Sequence, residues 1–295
     1  MRYFFLLLIL LFTLAACGGK PASPSGTPDP VILTSTTFLA DITRNIAGNR
    51  VEVASLLAVG TDPHSYQPTP QDITKIEHSK LLILSGADYE LFIKPLLKNA
   101  GGQREVLEAA AGIHPRKDAQ GIDPHLWLDP NNVIFYVQNI REALTHFDPK
   151  GSAVYQANAD AYILELKKLD AWIVAQVQQV PIEKRLLVTN HEAFGYFAAR
   201  YGFTITGTVI ESFSSDASPS AMEMAALIDQ IKSTHAPAIF LDASDNNAIA
   251  KVIADETGVR VVTDLHLESL TDGAPAATYI DMMKYNVTQI VAALK

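Results

Sequence analysis

The sequence of 295 residues contains a single cysteine, Cys17. One cysteine cannot form an internal disulfide, which excludes the small secreted domains that depend on several disulfides. The chain also has no block of basic residues, and its formal net charge is −9. We therefore expect no nucleic-acid partner. The apolar run at residues 3–14 is shorter than the ~20 residues that a helix needs to cross a bilayer.

Residues 1–16 have the proportions of a signal peptide, with Arg2 before the apolar run. The run ends in Leu14-Ala15-Ala16 before Cys17, and small residues before a cysteine at this position resemble a lipoprotein signal. The resemblance implies that Cys17 becomes the N-terminus and carries a lipid. A signal peptide with an incidental cysteine is the alternative. The prediction places the protein in the cell envelope, anchored to the membrane and facing the periplasm or the exterior.

The residues after the anchor divide by composition into a tether and a folded part. Residues 17–30 are rich in Pro, Ser and Gly, which predicts a flexible tether, although a terminus without a role would have the same composition. The roughly 265 residues that follow exceed the usual size of one domain. We predict an N-terminal domain at residues 31–150, a linker at 151–181 and a C-terminal domain at 182–295.

Each predicted domain alternates apolar strands with amphipathic helices, which is typical of a parallel sheet covered on both faces. In the first domain, Thr69, Pro70 and Asp72 form a good helix start. In the second, we predict that Ser218-Pro219 opens a helix. We also predict helices at residues 38–46 and 89–98. The predicted strands are residues 31–36, 51–57, 80–84, 104–107, 185–189, 203–209, 238–241 and 259–263.

The linker contains a long segment without Gly or Pro, residues 152–180, between Gly151 and Pro181. It predicts one helix, which at ~1.5 Å per residue would span about 43 Å. Such a helix could lie on the surface of one domain, or it could be a rigid strut that holds two domains at a nearly fixed angle. Its apolar positions keep helical spacing: Tyr162, Leu166, Leu169 and Ile173.

Four segments that follow predicted strands carry imidazoles or carboxylates. In open parallel sheets, ligands bind outside the carboxyl ends of the strands. Two segments come from each half, so a shared site would lie in the cleft between the domains. Three imidazoles and a carboxylate suit Zn²⁺, whereas Ca²⁺ or Mg²⁺ would require mostly oxygen. The segments are residues 60–68, 123–130, 189–195 and 265–270.

Two of these segments contain the tripeptide Asp-Pro-His, ending at His64 and His125. The proline fixes the backbone before the imidazole. Asp62 and Asp123 can accept a hydrogen bond from the N–H of a metal-bound imidazole. The alternative role of both aspartates is turn formation.

Together these motifs resemble the solute-binding proteins of bacterial zinc and manganese ABC importers, from about residue 31 to residue 295. The resemblance implies an α/β fold: two Rossmann-like lobes with parallel sheets, a long rigid helix joining them, and a metal site in the interlobe cleft. Its motifs are Gly-Thr-Asp-Pro-His-Ser-Tyr-Gln-Pro-Thr-Pro at residues 60–70, Asp-Pro-His-Leu-Trp-Leu-Asp-Pro at 123–130, His-Glu-Ala-Phe-Gly-Tyr-Phe at 191–197 and Tyr-Ile-Asp-Met-Met-Lys-Tyr-Asn at 279–286.

The resemblance implies four metal ligands. His64 and His125 match the first two positions, and His191 matches the third, which is His in many zinc receptors and Glu in some manganese receptors. Glu268 fits the fourth position best, and His266 is the competitor.

Several other residues are predicted from their place beside these ligands. Asp62, Asp123, Asp129 and Trp127 are expected next to them, and Trp127 and Phe194 would keep the site dry or simply pack in the core. The remaining histidines lack the motif context and are predicted to face solvent: His78, His114, His146 and His235.

The predicted function is that of an extracytoplasmic lipoprotein, a monomer and not an enzyme, that captures Zn²⁺ and delivers it to a membrane permease and its ATPase. A manganese receptor is the first alternative, because residues 109–122 contain only His114 where many zinc receptors have a His-rich loop. A zinc hydrolase with Glu192 as its base, or an adhesin, are the others. Four protein ligands would close the coordination sphere, and no His-Glu-x-x-His helix is present, which opposes the hydrolase.

The sequence also leads to a prediction about release. A strut helix opposes wide opening of the cleft, so release would need movement of the loop around Glu268. That loop contains Gly and Pro, whereas each ligand histidine lies beside a strand end or a proline.

Overall fold

The computed structural model describes residues 32–118, 120–244 and 248–295. The predicted signal peptide, the tether and Cys17 lie outside these residues. Within the part described, no helix is both long enough and apolar enough to cross a membrane.

The N-terminal lobe is built on a four-stranded parallel sheet in the order β2-β1-β3-β4. Its central strands are buried on both faces, since helices cover the sheet, so they consist of apolar runs without alternation. The strands are β1 (Ile32–Thr34), β2 (Val53–Ser55), β3 (Leu81–Leu84) and β4 (Glu105–Glu108), and the helices are α1 (Thr37–Ala47), α2 (Pro70–His78), α3 (Ile93–Asn99) and α4 (Pro130–Phe147).

Two residues on each side of residue 119 form a short antiparallel pair, β5 (Lys117–Asp118) with β6 (Gly121–Ile122). The C-terminal lobe repeats the parallel architecture in the order β10-β9-β7-β8. Its strands are β7 (Leu186–Thr189), β8 (Thr204–Thr208), β9 (Ala238–Asp242) and β10 (Arg260–Leu265), and its helices are α6 (Gly195–Tyr201), α7 (Ala221–Thr234), α8 (Ala248–Thr257) and α9 (Tyr279–Leu294).

A single helix, α5 (Ser152–Val177), joins the lobes. Its 26 residues correspond to ~39 Å, and it packs against α1 and α4 on one side and α6 and α9 on the other. The largest apolar cluster of the molecule runs continuously through both lobes and this helix. The predicted strut is therefore confirmed, and its buried face is Tyr155, Ala159, Tyr162, Leu166, Leu169, Ile173 and Val177.

Asp170 on α5 connects the helix to both lobes through one carboxylate. It accepts hydrogen bonds from Asn131 Nδ2 at the start of α4, at 3.1 Å. It also accepts from Arg200 Nε and from the Tyr201 hydroxyl on α6, each at 3.0 Å. The guanidinium and hydroxyl partners hold the pKa of Asp170 below its ordinary value against the opposing effect of burial. This junction fixes the angle at which the strut meets the two lobes.

The structure corrects several predicted boundaries. The helix predicted from residue 89 begins at Ile93, because Ala87 and Asp88 have positive φ angles of 54° and 60°, which a helix cannot contain. The helix predicted to open at Ser218-Pro219 begins at Ala221. There Ser220 and Glu223 form a capping box, a stronger start than the earlier proline. Helices α4 and α8 were not predicted, and the domain boundaries themselves stay predictions.

Candidate metal centre

Three imidazoles and one carboxylate converge between the lobes, and one donor atom from each of His64, His125, His191 and Glu268 lies within 4.8 Å of the others. Glu268 Oε1 is 3.8 Å from His64 Nε2, 3.4 Å from His125 Nε2 and 3.5 Å from His191 Nε2. The two buried imidazoles face each other, with 3.3 Å between His125 Nε2 and His191 Nε2. The four donors therefore point at one small volume.

Each donor follows a strand or opens a helix, as the parallel topology requires. His64 lies in the loop between β2 and α2, and His191 comes two residues after β7. Glu268 comes three residues after β10. His125 precedes a single turn of 3₁₀ helix, Leu126–Leu128, which leads into α4. Two donors thus come from each lobe.

Asp123 holds the imidazole of His125, as the Asp-Pro-His motif predicts. Its Oδ1 lies 3.0 Å from His125 Nδ1 and also accepts the His125 backbone N–H at 3.0 Å. The Nε2 atom of the ring is thereby directed at the other donors. A Cβ at Gly195 would collide with the Asp123 carboxylate, which explains the glycine in the motif at residues 191–197.

The other residues predicted beside the ligands have different partners. Asp62 accepts the backbone N–H of His64 at 2.8 Å and has no hydrogen bond to its ring among those of the described residues. Asp129 instead caps α4 by accepting the Asn131 N–H at 2.9 Å, because an Asp before a Pro is a favoured helix start. Trp127 is fully buried, with its ring centroid 5.4 Å from that of His125. Phe194 is buried against Phe197, which is the packing role.

Tyr89 is a residue of the site that the sequence gave no reason to select. Its hydroxyl donates to Glu268 Oε2 in a short hydrogen bond, and its ring lies edge-on to that of His64, with 5.4 Å between centroids. Burial, followed by the Glu268 charge, raises the pKa of Tyr89 well above its ordinary value. Tyr89 therefore stays a donor and leaves Oε1 of Glu268 facing the imidazoles.

The backbone that carries Glu268 is held from three directions. Asp242 Oδ2 accepts the Leu267 N–H and, at 3.4 Å, the Glu268 N–H. Trp127 Nε1 donates to Leu267 O at 2.9 Å. Asn286 on α9 bonds both backbone groups of His266, accepting from its N–H at 2.8 Å and donating to its carbonyl at 2.6 Å. The loop predicted to be the weak point for release is thus one of the most extensively bonded segments of the site.

His266, the alternative fourth ligand, lies outside the cluster. Its ring packs against Tyr285, with 5.5 Å between centroids. Glu192, the base of the alternative hydrolase, also lies outside the cluster. It lines a separate cavity of about 200 Å³ with Arg116, Asp123 and Phe213. The remaining histidines are exposed, as predicted: His78, His114, His146 and His235.

Replacing Asn286 with alanine should impair both the fold and the site. The change leaves the buried N–H and C=O of His266 without their partners, which should lower the free energy of unfolding by about 2 kcal/mol. Because the loop would no longer hold Glu268 in place, Zn²⁺ affinity should fall by ~10- to 100-fold. Urea unfolding and Zn²⁺ titration would measure the two effects. Thr288→Ala, an exposed position of the same helix, is the control, and an unchanged affinity in Asn286→Ala would limit its role to stability.

The charges of the cluster are unevenly distributed. Burial opposes protonation of His125, but the hydrogen bond to Asp123 and the adjacent Glu268 carboxylate outweigh it and raise the pKa to about 9. Burial lowers the pKa of His191. For Glu268, burial opposes ionisation, yet the three neighbouring imidazoles hold its pKa well below the ordinary value. The site thus contains an ionised carboxylate and neutral His191, with His125 as the imidazole that carries a proton.

The donor set fits a bound cation. His64 Nε2 and Glu268 Oε1 are buried and have no hydrogen-bond partner, and buried polar atoms are otherwise nearly always paired. A divalent ion between the four donors would satisfy both atoms. Nitrogen and carboxylate donors suit zinc and other transition-metal ions.

Comparison with known proteins identifies the family. Residues 32–293 match the family described as ZnuA, zinc-uptake complex component A, periplasmic. The chain belongs to this family. Its members are solute-binding receptors of metal ABC transporters, so the chain is a receptor and not an enzyme.

Relatives within the family are named for different metals. The manganese-binding lipoprotein MntA of Halalkalibacterium halodurans is 32% identical over 98% of this chain and 97% of its own length. The periplasmic zinc-binding protein TroA of Treponema pallidum has a TM-score of 0.84 at 29% identity, covering 90% of this chain and 99% of its own. A Mn-bound periplasmic metal-binding protein of Candidatus Liberibacter asiaticus has a TM-score of 0.80 at 30% identity, covering 90% and 100%.

Proposed function

We propose that this protein is an extracytoplasmic zinc receptor, with His64, His125, His191 and Glu268 as the metal ligands. The observation that supports the proposal is the convergence of three imidazoles and one carboxylate within 4.8 Å. The receptor would deliver its ion to a membrane permease driven by an ATPase, as substrate-binding proteins of ABC importers do.

The donor set is the reason for proposing zinc. Zn²⁺ has no geometric preference from its d-electrons and is commonly bound by four nitrogen and oxygen donors. Divalent ions bind a given site in an order that favours Zn²⁺ over Mn²⁺, and imidazole increases that difference relative to carboxylate. Manganese is the second candidate, since MntA and other relatives are named for it.

Competition titration tests the choice of metal. Purified protein would be titrated with Zn²⁺ and with Mn²⁺ against a chelator of known affinity, and its metal content after purification without added metal would be measured. We expect one Zn²⁺ per chain and a Zn²⁺ affinity above that for Mn²⁺. Equal affinities would overturn the zinc proposal and leave a broader metal receptor. An adhesin that ignores metal would bind neither ion and would melt at the same temperature in their presence.

Replacing His191 with glutamate should move the preference toward manganese. The change substitutes a hard oxygen donor for an imidazole nitrogen at a buried position that faces both His125 and Glu268. We expect the ratio of Zn²⁺ to Mn²⁺ affinity to fall by roughly tenfold or more. The same competition titration measures it, with His114→Ala as an exposed control. A ratio equal to that of the parent would argue against His191 as a ligand.

Membrane attachment through Cys17 is part of the proposal, and relatives named as lipoproteins support it. Replacing Cys17 with alanine should release the protein from membranes, because no cysteine would remain to carry the lipid. One acyl chain holds a protein only weakly, so stable anchoring implies more than one. Fractionation of cells that express each form measures the release. Equal membrane association of the variant and the parent would exclude the lipid anchor.

A further inference from the structure

The four donors differ in how far they are shielded from solvent. His125, His191 and Glu268 are buried, with residue exposures of 0%, 2% and 2%. His64 is the partly exposed member of the cluster. A surface cavity of about 260 Å³ lies beside it, lined by Asp62 and Ser65 of the His64 loop and by Asn190, the residue before His191, and Ser215. The metal therefore has its shortest way out on the His64 side.

One side chain on the far wall of this cavity reaches across the cleft. Ser215, in the loop between β8 and α7, donates its hydroxyl to Asp62 Oδ2 at 2.6 Å. Asp62 Oδ1 in turn accepts the backbone N–H of His64 at 2.8 Å. Ser65 also donates to Asp62 Oδ2, at 3.0 Å, but from the same loop. A residue of the C-terminal lobe thus holds the aspartate that fixes His64 in the N-terminal lobe.

The other donors depend less on a single contact. Glu268 is held by Asp242, Asn286 and Tyr89, and His125 is held by Asp123. Among the described residues, two hydrogen bonds join the His64 loop, residues 58–69, to the C-terminal lobe. These are Ser215 to Asp62 and the Gly60 N–H to Ser269 Oγ at 2.8 Å. Of the two, the Ser215 bond lies at the cavity and next to His64.

We propose that Ser215 is a positioning residue for metal retention. Its hydroxyl, acting through Asp62, keeps the His64 imidazole against the other three donors and closes the side of the cluster from which the metal leaves. Loss of this bond would let the His64 loop move away while the better-held Glu268, His125 and His191 stay in place. The inference rests on the proposed receptor function and identifies His64, rather than Glu268, as the donor that detaches first.

The rate of Zn²⁺ release tests this proposal. Full-length protein loaded with one Zn²⁺ would be mixed in a stopped-flow instrument with an excess of a chromophoric chelator. Ser215→Ala should release Zn²⁺ about tenfold faster than the parent, since a hydrogen bond to a carboxylate is worth roughly that factor. Ser65→Ala is the matched control, because it removes a hydroxyl from the same Asp62 oxygen without breaking a contact between lobes. It should change the rate by less than ~3-fold.

Two further measurements separate positioning from a general loss of structure. Ser215→Thr keeps the hydroxyl and should restore release to within ~3-fold of the parent rate. The visible absorption of the Co²⁺-loaded Ser215→Ala variant should match that of the parent, because all four donors are retained. Parental release from Ser215→Ala, equal acceleration by Ser65→Ala, or failure of Ser215→Thr to restore the rate would each overturn the proposal while leaving the receptor intact. A parent protein that binds no Zn²⁺ would overturn the receptor function and this inference with it.

Discussion

Replacing His125 with alanine should remove most of the stabilisation that zinc gives the folded protein. A metal that binds the folded form alone stabilises it by RT ln(1 + [L]/Kd), ~4 kcal/mol at a thousandfold excess over Kd. His125 is fully buried, with Asp123 and Glu268 arranged around it. Its loss should weaken binding by at least the ~100-fold that loss of a supporting residue can cost. At the same zinc concentration about 1.4 kcal/mol would remain.

The comparison is made by measuring the zinc-induced rise in melting temperature for each variant against its own metal-free form. This reference matters because His125→Ala also removes a charge partner of the buried Glu268. His146→Ala, at an exposed position, should keep the full rise. A full rise in His125→Ala would remove it from the coordination sphere. A collapsed rise in His266→Ala with an unchanged Glu268→Ala would transfer the fourth ligand to His266.

Zinc affinity should also rise steeply with pH well above the ordinary range for histidine. The carboxylates of Asp123 and Glu268 raise the pKa of His125 to about 9 against the opposing effect of burial. Zinc needs the neutral imidazole, so binding below that pH must expel one proton. We expect the affinity to increase about tenfold per pH unit between pH 7 and 8.5, and to level off above pH 9. Titration against a chelator at several pH values would measure the slope.

The stability of the protein without metal should change in the opposite direction. The folded pKa of His125 is about 9, and its unfolded value is about 6.5. Its proton therefore contributes to stability fully below pH 6.5, and the contribution is lost as the pH rises to 9, with a total of ~3 kcal/mol. In Asp123→Asn, where one of the two carboxylates is absent, both pH dependences should shift to lower pH. Identical profiles for this variant and the parent would show that Asp123 does not set the proton affinity of His125.

Much of the fold could be predicted because periodicity reports burial directly. Apolar runs such as Leu81–Leu84 and Ala238–Asp242 coincide with central strands, and the helix without Gly or Pro coincides with α5. The three histidines could be selected because Asp-Pro-His and the resemblance place them at strand ends. Glu268 was preferred to His266 by alignment of motifs, and the cluster contains Glu268.

The remainder depends on contacts between distant residues that spacing does not show. Tyr89 meets Glu268 across 179 residues, and Ser215 meets Asp62 across 153. The turn that carries Tyr89 is formed by positive φ angles at Ala87 and Asp88, which L residues seldom adopt and a helical pattern conceals. Mobility of the Glu268 loop was inferred from its glycine and proline, but its backbone bonds are made by Asp242 and Asn286, from other elements.

The junction at Asp170 has a consequence for the thermodynamics of loading. Receptors whose domains close over a ligand bury new apolar surface, and this produces a large negative change in heat capacity. Here the apolar core is already continuous through both lobes and the strut, and one carboxylate ties α4, α5 and α6 together. Loading therefore needs little new apolar contact and little ordering of the chain. The free energy of coordination is kept as affinity and is not consumed by domain closure.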